Sequence, residues 1–171
     1  MEIITIVTHG EVKHLDSMDN NYIVHAGDVQ VMSAGLGVLH SESNESTTEP
    51  LTLFQLWIQS KEYNIAPRYA QKSFDFQSVS NNLVPLVHSE KALVINQDAY
   101  ILYGALDASV SHTYTLENKD HGVYIFVIDG TLLIDGEELT SRDALGISEA
   151  SEVVIQAKSK SAFLVIEVPR E

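Results

Sequence analysis

The apolar residues of this chain recur at every second position rather than every third or fourth, and a period of two builds strands. EIITIV (2–7) is β-branched and alternating, and GEVKHLDS (10–17) and YIVHAGDVQVMSA (22–34) follow across the polar turn MDNN. LTLFQLWIQS (51–60) places Leu51, Leu53, Gln55, Trp57 and Gln59 on one face and Thr52, Phe54, Leu56 and Ile58 on the other, the pattern expected of a strand covered on both sides. After residue 92 the pattern returns in AYILYGALD, SVSHTYTLE, GVYIFVIDGTLLIDGEEL, EVVIQAKS and AFLVIEVP. Helical periodicity is weak everywhere, and Glu149–Val153 is the one candidate for a short helix. The stretch between the two β-rich parts, 61–91, alternates less, carries prolines and polar residues, and reads as a connection running over the surface.

The two β-rich parts echo each other. In each, a strand ends on glycine (Gly10, Gly130), the chain returns, and an aspartate (Asp28, Asp143) opens a later strand. The repeat spans about half the chain, too long for a solenoid, and many short strands with Asp-Gly turns at 129–130 and 135–136 suit an all-β jelly roll present twice.

Composition removes several function classes. The 171 residues carry no cysteine, which excludes disulfide scaffolds, thiolate zinc sites and cysteine nucleophiles. The formal net charge of −14 argues against direct nucleic-acid binding, which depends on Lys and Arg. No apolar run reaches the length of a membrane span, and MEIITIVTHGE lacks the basic start and cleavage pattern of a signal peptide, so a cytoplasmic location is expected. No G-x-S-x-G elbow and no glycine-rich phosphate loop occurs.

The residues best suited to chemistry are His40 and Glu42 in VMSAGLGVLHSE. On an extended strand positions i and i+2 share a face, and an imidazole beside a carboxylate suits Fe, Ni, Cu, Zn or Mn. A rim histidine bonded to a nearby carboxylate reads the same way, so the pair alone is a weak signal. His14 and Asp16 form a second i, i+2 pair beside a turn. His9, His14, His25, His88, His112 and His121 are read as surface or hydrogen-bonded histidines.

GEVKHLDSMDN, AGDVQVMSAGLGVLHSE, LFQLWI and APRYAQKSF together resemble the pirin family, and more narrowly the bacterial pirin-like proteins with quercetin 2,3-dioxygenase activity. The likeness is dense from Met1 to about Phe74 and looser beyond. It implies an all-β double-stranded β-helix in tandem: an N-terminal cupin domain over 1–60, a connecting segment over 61–91 and a C-terminal cupin domain over 92–171. It also implies one divalent metal, most often iron and otherwise nickel, copper or zinc, in the first barrel. The family's ligands are three histidines and a glutamate from His-Pro-His and His-Ser-Glu motifs. His40 and Glu42 match the second motif. The first is expected just ahead of a segment like MEIITIVTHGE, which here starts at Met1. The expectation is therefore an N-terminally shortened first barrel, weak or absent metal binding and impaired flavonol dioxygenation, with Glu42 as metal ligand and base. The second barrel, lacking a histidine in the matching place, is expected to bind no metal. Expected partners are a small aromatic substrate and a second copy of the chain, with no membrane. A non-catalytic pirin-type binding or regulatory module is the competing reading.

Overall fold

The computed structural model describes residues 1–170. Its regular structure is strand throughout, apart from one 3₁₀ turn at Phe76–Ser78. The chain divides into two compact units, each a jelly roll of two antiparallel sheets. Unit 1 takes Met1–Asp75 with Leu93–Gln97. It contains β1 (Glu2–His9), β2 (Glu11–Asp16), β3 (Asn21–His25), β4 (Asp28–Ser33), β5 (His40–Ser43), β6 (Thr52–Ile58) and β7 (Arg68–Ser73). These pair as β6-β1-β4-β7 and β3-β2-β5. Unit 2 takes Phe76–Ala92 and the chain from Asp98. Its strands are β8 (Asn82–Val87), β9 (Tyr100–Leu106), β10 (Ser111–Thr115), β11 (His121–Asp129), β12 (Thr131–Ile134), β13 (Glu137–Thr140), β14 (Ala144–Ile147), β15 (Glu152–Ala157) and β16 (Ser161–Pro169). They pair as β14-β11-β16-β9-β8 and β10-β15-β12-β13. The segment 61–91 thus gives β7 to the first unit and β8 to the second. Pro85, which has no N–H to donate, sits in β8 at a sheet edge beside a register shift, where a proline is tolerated.

The sequence echo is a structural one. β1 pairs with β4 and β6 as β11 pairs with β14 and β16, and β2 pairs with β3 and β5 as β12 pairs with β13 and β15. The two aspartates do the same local work: Asp28 accepts the backbone N–H of His25, and Asp143 that of Thr140, each three residues back. Of the two Asp-Gly turns, only the second closes a hairpin. Asp135 and Gly136 have φ of 51° and 85°, both positive as a type I′ turn demands, and Ile134 faces Glu137 across it. The first, Asp129-Gly130, is a corner at which the chain passes from β11 in one sheet to β12 in the other.

Two sequence expectations fail. No helix forms at Glu149–Val153: Glu149 turns with φ 62°, and Val153 and Ile155 of β15 point into the core. A single turn without a long amphipathic face has too little to offset nucleation. β6 is not covered on both sides. It is the edge strand of its sheet, with Gln55 and Trp57 exposed, because alternation tells which residues share a face and not where the strand lies in the sheet.

The two barrels are filled differently. Unit 2 is packed with hydrocarbon: Val123, Ile125, Val127, Leu132, Ile134, Val153, Ile155, Phe163 and Val165 form one buried cluster. Unit 1 has a small apolar floor of Val7, Val12 and Val24 with Leu51 and Leu53 against it. Beyond that floor, the same sheet face carries a polar row. The registers place Gln55, Thr5, Gln30 and Gln71 side by side across β6, β1, β4 and β7, and Thr5 and Gln30 are fully buried.

Candidate metal centre

The candidate centre is built by the pairing of β2 with β5. Its register sets Glu42 opposite His14 and His40 opposite Asp16, so two i, i+2 pairs meet as a square of alternating acid and imidazole. Asp16 is the fixed corner. Its carboxylate accepts the backbone N–H groups of Met18 and Asn20 at 2.9 and 3.1 Å, the Asn20 amide at 2.8 Å and His14 Nε2 at 3.0 Å. Burial pushes its pKa up, but these hydrogen bonds from Asn20, His14 and the turn outweigh it and hold the carboxyl at about 2. An ionised Asp16 takes its hydrogen bond from Nε2 and so fixes which nitrogen of His14 faces inward. That nitrogen, Nδ1, lies 3.7 Å from Glu42 Oε1 and has no hydrogen-bond partner although it is buried.

Glu42 is nearly buried, with 13% of its side chain exposed. It accepts hydrogen bonds from Thr5 and Gln30 on Oε1 and from Gln55 on Oε2. His40 is exposed, its ring stacked on that of His14 with centroids 6.0 Å apart. Tyr69 and then Tyr22 continue the stack at 4.8 and 5.2 Å. Burial, reinforced by the nearby charge of Glu42, raises the Tyr69 pKa well above the ordinary phenol range, so its hydroxyl stays a donor.

Family profiles match both units: Pirin over residues 1–58 and the quercetinase C-terminal cupin domain over 86–168. A quercetin 2,3-dioxygenase of Escherichia coli strain K12 is 37% identical over 171 residues, covering 99% of this chain and 73% of the relative. The chain belongs to the pirin family. A pirin-like protein of Caulobacter vibrioides is 36% identical over 173 residues, with 98% of this chain and 73% of that one covered. Among solved structures, the bacterial pirin YhhW of Escherichia coli in complex with nickel(II) superimposes with a TM-score of 0.92 at 34% identity, covering 100% of this chain and 73% of that one.

For a pirin, the donor set here suits a first-row divalent ion in kind. Imidazole and carboxylate are ordinary ligands for such ions, and the partnerless Nδ1 of His14 faces the same carboxylate. The number is small: no three His, Asp or Glu side chains among the described residues gather around one point. His40 and Glu42 do lie on one strand face, as the sequence implied. What sequence reading did not give is the placing of His14 Nδ1 3.7 Å from Glu42, or the glutamines that hold the carboxylate. Its trace was the second i, i+2 pair, His14 and Asp16, in a strand able to pair with β5. Two histidines of unit 2 are engaged elsewhere. His121 Nδ1 pairs with Glu167 at 3.0 Å and His88 Nε2 with Glu117 at 3.1 Å. Glu167 also accepts the Tyr114 hydroxyl and two backbone N–H groups.

Proposed function

We propose that this chain is a pirin-type dioxygenase that opens the ring of a flavonol such as quercetin, with a divalent ion on His40 and Glu42. The observation carrying this reading is Glu42 itself: a nearly buried carboxylate held by neutral amides and a hydroxyl, with the imidazole of His14 3.7 Å away and that of His40 stacked on His14. The names of its relatives, quercetin 2,3-dioxygenase and a nickel-bound pirin, support it. When bound, such an ion supplies Lewis acidity toward a substrate oxygen. The chain's own residues do the rest. A carboxylate has about four acceptor positions. Thr5, Gln30 and Gln55 use three, leaving one on Oε2, which serves either the ion or the proton of a flavonol hydroxyl but not both at once. Asp16 keeps His14 turned toward Glu42, and the apolar floor of Val7, Val12 and Val24 keeps water from that side. Two ligands hold an ion weakly where three or four are usual, so low occupancy and impaired turnover belong to this proposal.

The test is quercetin loss with Fe, Ni, Cu or Zn supplied in excess. Turnover that needs the ion and is abolished in His40→Ala supports the reading. No turnover at any loading defeats it and favours the second reading, a pirin-type binding module without catalysis. That second reading has its own support in the small ligand count.

A further inference from the structure

The polar row of unit 1 has a direction. Glu42 can only accept hydrogen bonds, so both glutamines that reach it must turn their NH₂ groups inward: Gln55 Nε2 lies 2.8 Å from Oε2, and Gln30 Nε2 bonds Oε1. Their carbonyl oxygens then point away, and each meets a group able to donate. Gln55 Oε1 accepts the indole N–H of Trp57 at 2.9 Å, and Gln30 Oε1 lies 3.0 Å from the Tyr69 hydroxyl. An indole N–H can only donate, so Gln55 is fixed from both ends. The Tyr69 hydroxyl has one proton for two carbonyl oxygens, Gln30 Oε1 and Gln71 Oε1, each at 3.0 Å, so Gln30 is directed by Glu42 and only backed by Tyr69. Thr5, between them in the register, accepts from both amides at 3.3 Å and donates to Oε1.

The supports come from four different strands. Gln30 and Tyr69 are anchored on β4 and β7. Tyr69 also reaches Gln71, whose amide donates to Asp28 at 2.8 Å and to the Ile23 carbonyl at 3.1 Å. On the other side the chain of bonds ends at the surface, where Trp57 is 63% exposed. A bond network running from an exposed indole, through one amide, to a nearly buried carboxylate is more than a sheet needs for its own stability. Val31, Ile4 and Leu56 serve β4, β1 and β6 one row away without any such device.

We propose that Gln30 and Gln55 are positioning residues for Glu42: a pair of oppositely directed amide clamps that fix the carboxylate's plane and leave one lone pair of Oε2 free, with Trp57 and Tyr69 as their outer stops. This rests on the role of Glu42 given above. It makes Trp57 the surface end of the site, so an aromatic ligand that settles on the indole face acts on Glu42 through Gln55.

The test uses the full chain, ¹⁵N-labelled, without metal or flavonol. The sequence holds a single tryptophan, so one indole N–H resonance reports the outer stop without ambiguity. Glu42→Ala is expected to move that resonance and the side-chain amide pairs of Gln30 and Gln55, although Trp57 makes no bond to Glu42. In a Gln55→Met background the indole resonance is already displaced, and adding Glu42→Ala moves it no further. An indole unmoved by Glu42→Ala, or one still moved by it after Gln55→Met, overturns the clamp. Should Glu42→Ala fail to fold, Glu42→Gln keeps the shape but offers one carbonyl oxygen, so one glutamine amide pair shifts and the other holds; both unmoved overturns the proposal. In turnover, Gln55→Met should lower kcat about tenfold with KM within about twofold, the split expected of lost positioning rather than lost binding. The spectra are independent of turnover, so the clamp and the dioxygenase reading fail separately.

Discussion

At the scale of single residues, Asp16 is the side chain on which the candidate centre turns. Its folded pKa of about 2 lies below the ordinary 3.8. A depressed carboxylate contributes stability that is fully present above the ordinary value and is lost as pH falls through the folded one. Asp16→Asn should therefore cost about 2 kcal/mol at neutral pH, and the difference from the parent should vanish in denaturant titrations taken from pH 4 down to 2. The same substitution frees the His14 ring, so ion binding and any turnover should fall with it. Glu42 was legible as a candidate because His-x-Glu on a strand is a recognisable pair. His14 was not, because its importance comes from Nε2 being held by Asp16 and Nδ1 being turned inward, and neither shows in a residue's identity.

At the scale of elements, turn chemistry and register decide the arrangement. Asp135-Gly136 was readable because a two-residue loop with both φ positive leaves few residues to choose from. Gly136 faces open space, whereas a Cβ on Gly10 would lie 2.4 Å from the Pro50 carbonyl oxygen. Gly136→Ala should thus cost only the backbone term, about 1 kcal/mol. Gly10→Ala adds a backbone collision and should cost clearly more, at least about 2 kcal/mol. Comparing the two denaturation midpoints checks this, and equal losses would mean that the β1–β2 corner yields. The pairing of β2 with β5 could not be read in advance. The two strands are separated by β3, β4 and the loop at 34–39, and local alternation says nothing about which distant strand lies alongside. For the same reason β6 read as a strand covered on both faces, when its edge position leaves Gln55 and Trp57 exposed although they share the face of the polar row.

At the scale of the molecule, one plan is used twice with two fillings. The tandem jelly roll was legible because the glycine-ended strands and strand-opening aspartates recur in order and each does in structure what its counterpart does. The difference in filling was harder to see. Gln30, Gln55 and Gln71 look like solvent-facing residues until the register sets them in one row, whereas Ile125, Leu132 and Phe163 announce a core. Phe163 is fully buried, its ring lying where a side chain on Gly104 would go. Phe163→Ala should cost about 3–5 kcal/mol and Gly104→Ala should also destabilise, since the two residues share one space. In unit 1, Gln30→Met should cost about 1–3 kcal/mol, because nearly buried Glu42 and the Tyr69 hydroxyl each lose a partner, and the site's properties change with it. Chemical denaturation of the two variants separates these outcomes.

The contrast in filling also sets how each barrel responds to temperature. Exposing hydrocarbon on unfolding raises heat capacity, and exposing polar groups lowers it. Unit 2, with its cluster of valines, isoleucines and leucines, therefore carries most of the curvature of the stability profile and is the part that weakens on cooling. In unit 1 the curvature comes from residues such as Ile4, Ile6, Val29 and Val31, while the amides and carboxylate around Glu42 pull in the opposite direction, so the site itself adds little to it.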